Sequence, residues 1–220
     1  METSHHDKKT RRNIRLVVVG VLMFSAVTIT ALVNKMSQPR ILNKWELQDY
    51  GALILDKPQA LTQFQLLDER GEEFDQQDLV GKWTVVFFGF SHCTDICAPT
   101  MSVLGKTYAE LKSEEQKEFE IVFVTVDPER DTPAVLGEYV SRFHSDFHGL
   151  SGSTKDLGNF ASQLKVPYRV IPSSEEETLG HSANLILINP RGELHGFFKP
   201  PFAHGALRVV WRSLRATYSD

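Results

Sequence analysis

The chain has 220 residues, 41% of them hydrophobic, with 24 Lys+Arg against 28 Asp+Glu and a formal charge of −4. Residues 1–36 hold six of those bases and two of those acids, which leaves 18 against 26 and a net of −8 beyond them. So acidic a body excludes nucleic acid as a partner, since that binding needs clustered Lys and Arg to displace counterions; the acidity reads as solubility.

The basic stretch METSHHDKKTRRNIR runs straight into LVVVGVLMFSAVTITALV, Leu16 to Val33, 18 residues without a charge. A helix of about 20 apolar residues crosses a bilayer, whereas a cleaved signal peptide has an apolar region of roughly 7 to 15 residues and a small-residue site. The length and the lack of an A-x-A pattern favour an uncleaved anchor. Lys8, Lys9, Arg11, Arg12 and Arg15 crowd one flank, while Lys35, Arg40 and Lys44 are spaced along the other. By the positive-inside rule, residues 1–15 stay cytoplasmic, 16–33 span the inner membrane once, and the remainder faces the periplasm of a Gram-negative cell. Residues 34–47 read as a linker, and 37–59 as a tether that has no clear period and carries Pro39 and Pro58. Residues 48–220 are expected to form one domain with its own core.

Within that domain, FQLLDE and its RGE turn suggest short antiparallel strands pairing at a sheet edge. TVVFFGF (84–90), EIVFVTV (120–126) and NLILIN (184–189) are apolar runs of the kind found in strands buried on both faces. Met101, Leu104, Tyr108 and Leu111 form the stripe of a helix after the first run. Thr132 and Pro133 cap a second helix, with Val135, Leu136, Tyr139, Val140 and Phe143 at helical spacing. Ser153 with Asp156 opens a third, burying Leu157, Phe160 and Leu164. NLILINPRGELHGFF reads as a hairpin around Asn189–Gly192, ended by Pro200 and Pro201, and a last helix turns Leu207, Val210, Trp211 and Leu214 inward. The order implies a mixed α/β sheet with helices on both faces.

The chemistry concentrates in FFGFSHCTDICAPTM, Phe87 to Met101, which holds Cys93 and Cys97, the only cysteines in the chain. They follow a buried strand and precede a helix, where open α/β sheets place functional groups. Pro99 is expected at the first helical position, with the helix starting near Ala98 or Pro99 and both thiols on the turn before it. The helix dipole there favours thiolate. Helical i, i+4 residues have Cβ atoms about 5–6 Å apart, whereas a relaxed disulfide wants about 3.5–4.5 Å. Two sulfurs around one metal span up to about 4.6 Å, so the spacing leans toward metal and leaves a reversible disulfide open. A structural disulfide would close a very small loop and remove little entropy. Idle neighbouring thiols are disfavoured in an oxidising compartment, and closed zinc sites want four ligands.

FGFSHCTDIC, VTVDPERDT and GHSANLILINPRGE, in this order and spacing, closely resemble the Sco/SenC family, from about residue 48 to the C-terminus. The resemblance implies a thioredoxin-like mixed β-sheet flanked by helices, behind one N-terminal transmembrane helix. It implies copper, as Cu(I) or Cu(II), bound by Cys93, Cys97 and His181. It also implies delivery of that copper to the CuA-bearing subunit of cytochrome c oxidase, and an upstream copper donor. Thr94 and Ala98 stand where the family often has prolines, which bears on affinity or reduction potential more than on ligand identity. His181 lies after the acidic SSEEETLG and just before NLILIN, the strand expected beside the cysteine strand, where it would complete a trigonal Cys2His set; soft thiolates select Cu(I) and imidazole suits Cu(II).

The other histidines read as ordinary polar groups: His5 and His6 before the span, His92 pointing away from Cys93, His144 and His148 at a helix end, and His195 and His204 in the hairpin and the last helix. Asp127–Thr132, DPERDT, reads as turn and cap architecture, the alternative being an acidic lip beside the copper loop. Two functions compete. A copper metallochaperone needs His181; a thiol-disulfide oxidoreductase, reducing the CuA subunit or another exported protein, needs only Cys93 and Cys97.

Overall fold

The computed structural model describes residues 3–37, 41–93, 95–168 and 183–217. The chain divides into two units, residues 1–40 and 41–220. The described residues of the first form a single helix, α1 (Thr3–Ser37), whose window Ile14–Lys35 is long and apolar enough to cross a membrane. Within that window the Thr28 and Thr30 hydroxyls donate back to the carbonyls of Phe24 and Ala26, at 2.9 and 2.8 Å, so each polar group is satisfied inside the helix.

Among the described residues the second unit has eight strands. They are β1 (Ala52–Ala60), β2 (Gln65–Leu67), β3 (Glu73–Asp75), β4 (Trp83–Gly89), β5 (Phe119–Thr125), β6 (His148–Leu150), β7 (Leu185–Ile188) and β8 (Glu193–Phe198). Six form one sheet in the order β1-β8-β7-β4-β5-β6. β4 runs parallel to β5 and antiparallel to β7, with Val85 opposite both Ile121 and Leu187. The two central parallel strands are buried along their whole length, as their unbroken apolar runs require. Alternation then sorts their side chains: Val85 and Phe87 join one core, Val86 and Phe88 the other.

Helices cover both faces. α3 (Cys97–Ala109), α5 (Pro133–Ser141) and α7 (His204–Thr217) bury Met101, Leu104, Leu136, Tyr139, Val210 and Trp211 in the first core. α6 (Thr154–Gln163) buries Leu157 and Phe160 in the second, beside Leu66 and Phe74 of the β2–β3 hairpin. Caps fall where the sequence puts them. Thr132 accepts from the N–H of Val135 with Pro133 at the start of α5, and Ser153 accepts from the N–H of Asp156. Leu111 and Phe143 lie just past the ends of α3 and α5, yet still pack on the first core.

One expectation is corrected and one is refined. The stretch 37–59, read as a tether, is folded from Ile41 onward. Asn43 and Glu46 make a capping box for the short α2 (Lys44–Asp49), Leu42 and Leu47 are buried, and the Leu42 N–H donates to Ser213 Oγ of α7 at 2.7 Å. β1 follows as the edge strand beside β8. The second is a refinement: FQLLDE with its turn pairs as β2–β3 in a separate two-stranded sheet, which meets the β6 edge of the main sheet through one antiparallel bridge, Leu67 with Ser151.

Candidate metal centre

The cysteines sit where β4, at the centre of the sheet, gives way to α3. Cys93 closes the first turn after the strand, its N–H donating to the Phe90 carbonyl at 3.1 Å. α3 begins at Cys97 itself, one or two residues earlier than its proline suggests, so Pro99 is the third helical residue. That position is tolerated because first-turn N–H groups have no helical partner to lose. Ile96 at the N-cap offers no capping side chain. The Cys97 N–H instead donates to Cys93 Sγ at 3.4 Å, so a sulfur occupies part of the capping role.

Both cysteines are held as thiols, Cys93 half-buried and Cys97 fully buried. The dipole expectation for Cys97 is overturned: its thiol is pushed up, first by its hydrogen bond with Cys93, then by burial. A backbone hydrogen bond from Phe90 acts the other way and loses. The pocket is one that a side chain at Gly89 would fill, since a Cβ there would lie 2.7 Å from Cys97 Sγ and 2.9 Å from the Phe123 ring. The glycine that ends β4 therefore makes room for the sulfur.

Beneath the loop lies Asp131, fully buried. Its carboxylate accepts the Ser91 N–H at 3.0 Å, the Ser91 hydroxyl at 2.5 Å and the Thr125 hydroxyl at 2.7 Å. Asp127, also buried, pairs with Arg130 and donates its N–H to Thr125 Oγ1 at 2.9 Å. DPERDT is thus architecture, but architecture that fastens the cysteine loop. The sequence marks Asp131 as a turn residue; its grip on Ser91, forty positions away, is a tertiary fact. Gly89 carried a visible signal, a glycine closing a buried strand, and was missed.

Of the residues assigned to the site, Cys93 and Cys97 come together; His181 and the acidic segment before it lie outside the described residues, as does Thr94. Among the described residues no cluster of three His, Cys, Asp or Glu side chains is arranged to hold a metal. The strand after His181, β7, does lie beside β4 as expected. His92 is exposed and bonds through Nδ1 to Ser91 Oγ at 2.9 Å. His144 packs edge-on against Tyr108, His148 meets Glu69 at 3.3 Å, His195 is buried against Trp83, and His204 lies 3.7 Å from Glu110.

The SCO1/SenC family profile matches residues 54–210. A Stutzerimonas stutzeri protein named for copper binding is 34% identical over 167 residues, covering 74% of this chain and 81% of its own. The mitochondrial protein SCO1 of Saccharomyces cerevisiae is 35% identical over 140 residues, 62% of this chain, and the match spans 48% of the yeast protein. Among solved structures, yeast Sco1 with copper bound superposes with a TM-score of 0.61 at 31% identity, over 70% of this chain and 87% of the yeast one. Apo Sco1 from Thermus thermophilus gives 0.65 at 32%, over 76% and 96%. The thioredoxin-like sheet is shared with these structures.

Proposed function

Because the chain belongs to the SCO1/SenC family, we propose that it is a membrane-anchored copper metallochaperone that loads the CuA centre of cytochrome c oxidase. Copper is its cargo, held by Cys93, Cys97 and His181, received from an upstream donor and passed on by ligand exchange. Relatives named for copper binding, and solved with copper bound, support this reading. α1 serves as the anchor, with residues 1–15 cytoplasmic and the domain, folded from Ile41 onward, in the periplasm.

The observation that carries the proposal is the state of Cys97. Its sulfur is buried beside Gly89 and Phe123, and Cys93 Sγ accepts its N–H at 3.4 Å, which brings the two sulfurs to one end of α3. A buried sulfur is poorly placed to attack a partner, whereas two neighbouring sulfurs form a soft donor pair that gives up its protons to a thiophilic cation. Half-exposed Cys93, hydrogen-bonded to the Cys97 N–H, favours a second reading, thiol-disulfide exchange with an exported partner.

Oxidase activity and CuA content, measured in copper-limited cells, separate the two. His181→Ala is expected to abolish both, as does the double Cys93→Ser, Cys97→Ser variant. Near-normal activity in His181→Ala beside loss in the cysteine variant establishes the oxidoreductase instead.

A further inference from the structure

Among the described residues of the second unit, six large hydrophobic side chains are exposed, and three of them fall within ten positions: Ile41 at 59%, Trp45 at 76% and Tyr50 at 41%. Single exposed apolar groups are ordinary, but a group of them rimmed by polar residues marks an interaction surface. Lys44, Gln48 and Asp49, in the same segment, are exposed as well. The backbone that carries these groups is fixed. Leu42 and Leu47 are buried, Asn43 Oδ1 accepts the N–H groups of Trp45 and Glu46 at 3.0 Å each, and the Leu42 N–H is tied to Ser213 Oγ. Trp45 is therefore held out from the domain, whereas Trp83 and Trp211, the other two tryptophans, are buried.

The length of chain between anchor and domain limits where these groups can go. The span Ile14–Lys35 has 22 residues, about 33 Å of helix, which matches a hydrocarbon core of about 30 Å. Only residues 38–40 separate Ser37, the last residue of α1, from Ile41, so in any orientation of the domain Ile41 stays within about 14 Å of that helix end. The end emerges into a headgroup layer about 5–7 Å deep. Trp45 follows four positions after Ile41, and tryptophan, with an apolar ring and a polar N–H, favours this layer. We propose that Ile41 and Trp45 form a lipid-facing patch that seats the domain on the bilayer surface, with the Trp45 ring in the headgroup and upper acyl region. The proposal rests on the reading of α1 as an anchor. A patch this small is too weak to recruit a free domain to lipid, but the anchor makes the contact intramolecular, and little area then suffices.

The test uses the full chain, as wild type and Trp45→Phe, in vesicles of phosphatidylethanolamine and phosphatidylglycerol. Subtracting one fluorescence signal from the other isolates Trp45, since Trp83 and Trp211 are buried and common to both. Two quenchers are applied: lipid brominated near the top of the acyl chain, and acrylamide in the water. Seated about 5–10 Å into the headgroup and acyl boundary, Trp45 is expected to lose about half its emission or more to bromolipid, and to be quenched by acrylamide about threefold less than N-acetyltryptophanamide in the same buffer. Bromolipid without effect, or acrylamide quenching equal to that of the free compound, overturns the patch. Shielding from acrylamide without bromolipid quenching assigns the surface to a second copy of the chain instead. An alkaline carbonate wash distinguishes failure of the anchor: wild type released from the vesicles contradicts the reading of α1, whereas wild type retained with Trp45 unquenched by lipid counts against the patch alone.

Discussion

The carboxylate of Asp131 grips Ser91 twice, accepting its backbone N–H at 3.0 Å and its hydroxyl at 2.5 Å, two residues before Cys93. The turn that opens α5 is therefore joined to the loop that carries the first thiol. Thr125, at the end of β5, completes the set of donors. Such a fully satisfied buried carboxylate fixes one loop conformation, and removing it strands every donor that it served.

Asp131→Ala leaves two hydroxyls and one N–H without their acceptor, at a cost on the order of 3 kcal/mol. For a domain of this size that lowers the melting temperature by roughly 6–12 °C. Asp131→Asn keeps one acceptor oxygen and is expected to fall between wild type and alanine. Thermal denaturation of the three proteins followed by circular dichroism checks the order, and an alanine variant as stable as wild type contradicts the clamp.

Gly89→Ala puts a methyl where Cys97 Sγ and the Phe123 ring already stand, at 2.7 and 2.9 Å. Overpacking of this kind costs about 1–3 kcal/mol, and here it also displaces the sulfur. Gly205→Ala, in α7 with nothing within 4 Å of the added atom, supplies the contrast and should be neutral or stabilising by up to about 1 kcal/mol. Urea unfolding gives the stabilities, and chelator competition should register weaker Cu(I) binding for Gly89→Ala alone. Equal behaviour of the two variants removes the special role of Gly89.

His195 provides a pH dependence away from the cysteines. Burial, then the positive Arg191, lowers its pKa from 6.5 to about 4. Above pH 6.5 the ring is neutral folded and unfolded, and its contribution is fully present. As pH falls below 6.5 only the unfolded chain takes up a proton, so stability is lost down to about pH 4, by about 3 kcal/mol in all. His195→Phe, which retains an aromatic ring beside Trp83, should lose less stability than wild type between pH 7 and pH 4. A difference between the two proteins that stays constant with pH shows that His195 does not titrate this way.

How far the sequence carried depended on whether the decisive contact was local. β4, β5 and β7 were legible as apolar runs, α5 from Thr132 and Pro133, and the hairpin turn from Asn189–Gly192, because each signal lies within the element that it defines. β1 was not: its strand includes Lys57 and Pro58 and shifts register between Ile54 and Gln59, and it exists by pairing with β8, some 140 positions later. α2 is six residues long, too short for any period, and is held by Leu42, Leu47 and the bond to Ser213. The cysteine pair announced itself by spacing, but its electrostatics did not. The helix dipole was the visible influence, whereas burial and the Cys93 contact prevail at Cys97. Gly89 gains its meaning only from the Cys97 sulfur and the Phe123 ring that crowd it.

In the proposed function Cys93, Cys97 and His181 together hold one copper. X-ray absorption at the copper edge, on the full chain reduced and loaded with one equivalent of Cu(I), tests it directly. Wild type is expected to show a first shell of two sulfurs and one nitrogen, with the nitrogen contribution lost in His181→Ala and the sulfur contribution halved in Cys97→Ser. A first shell without sulfur, or a His181→Ala spectrum identical to wild type, contradicts it.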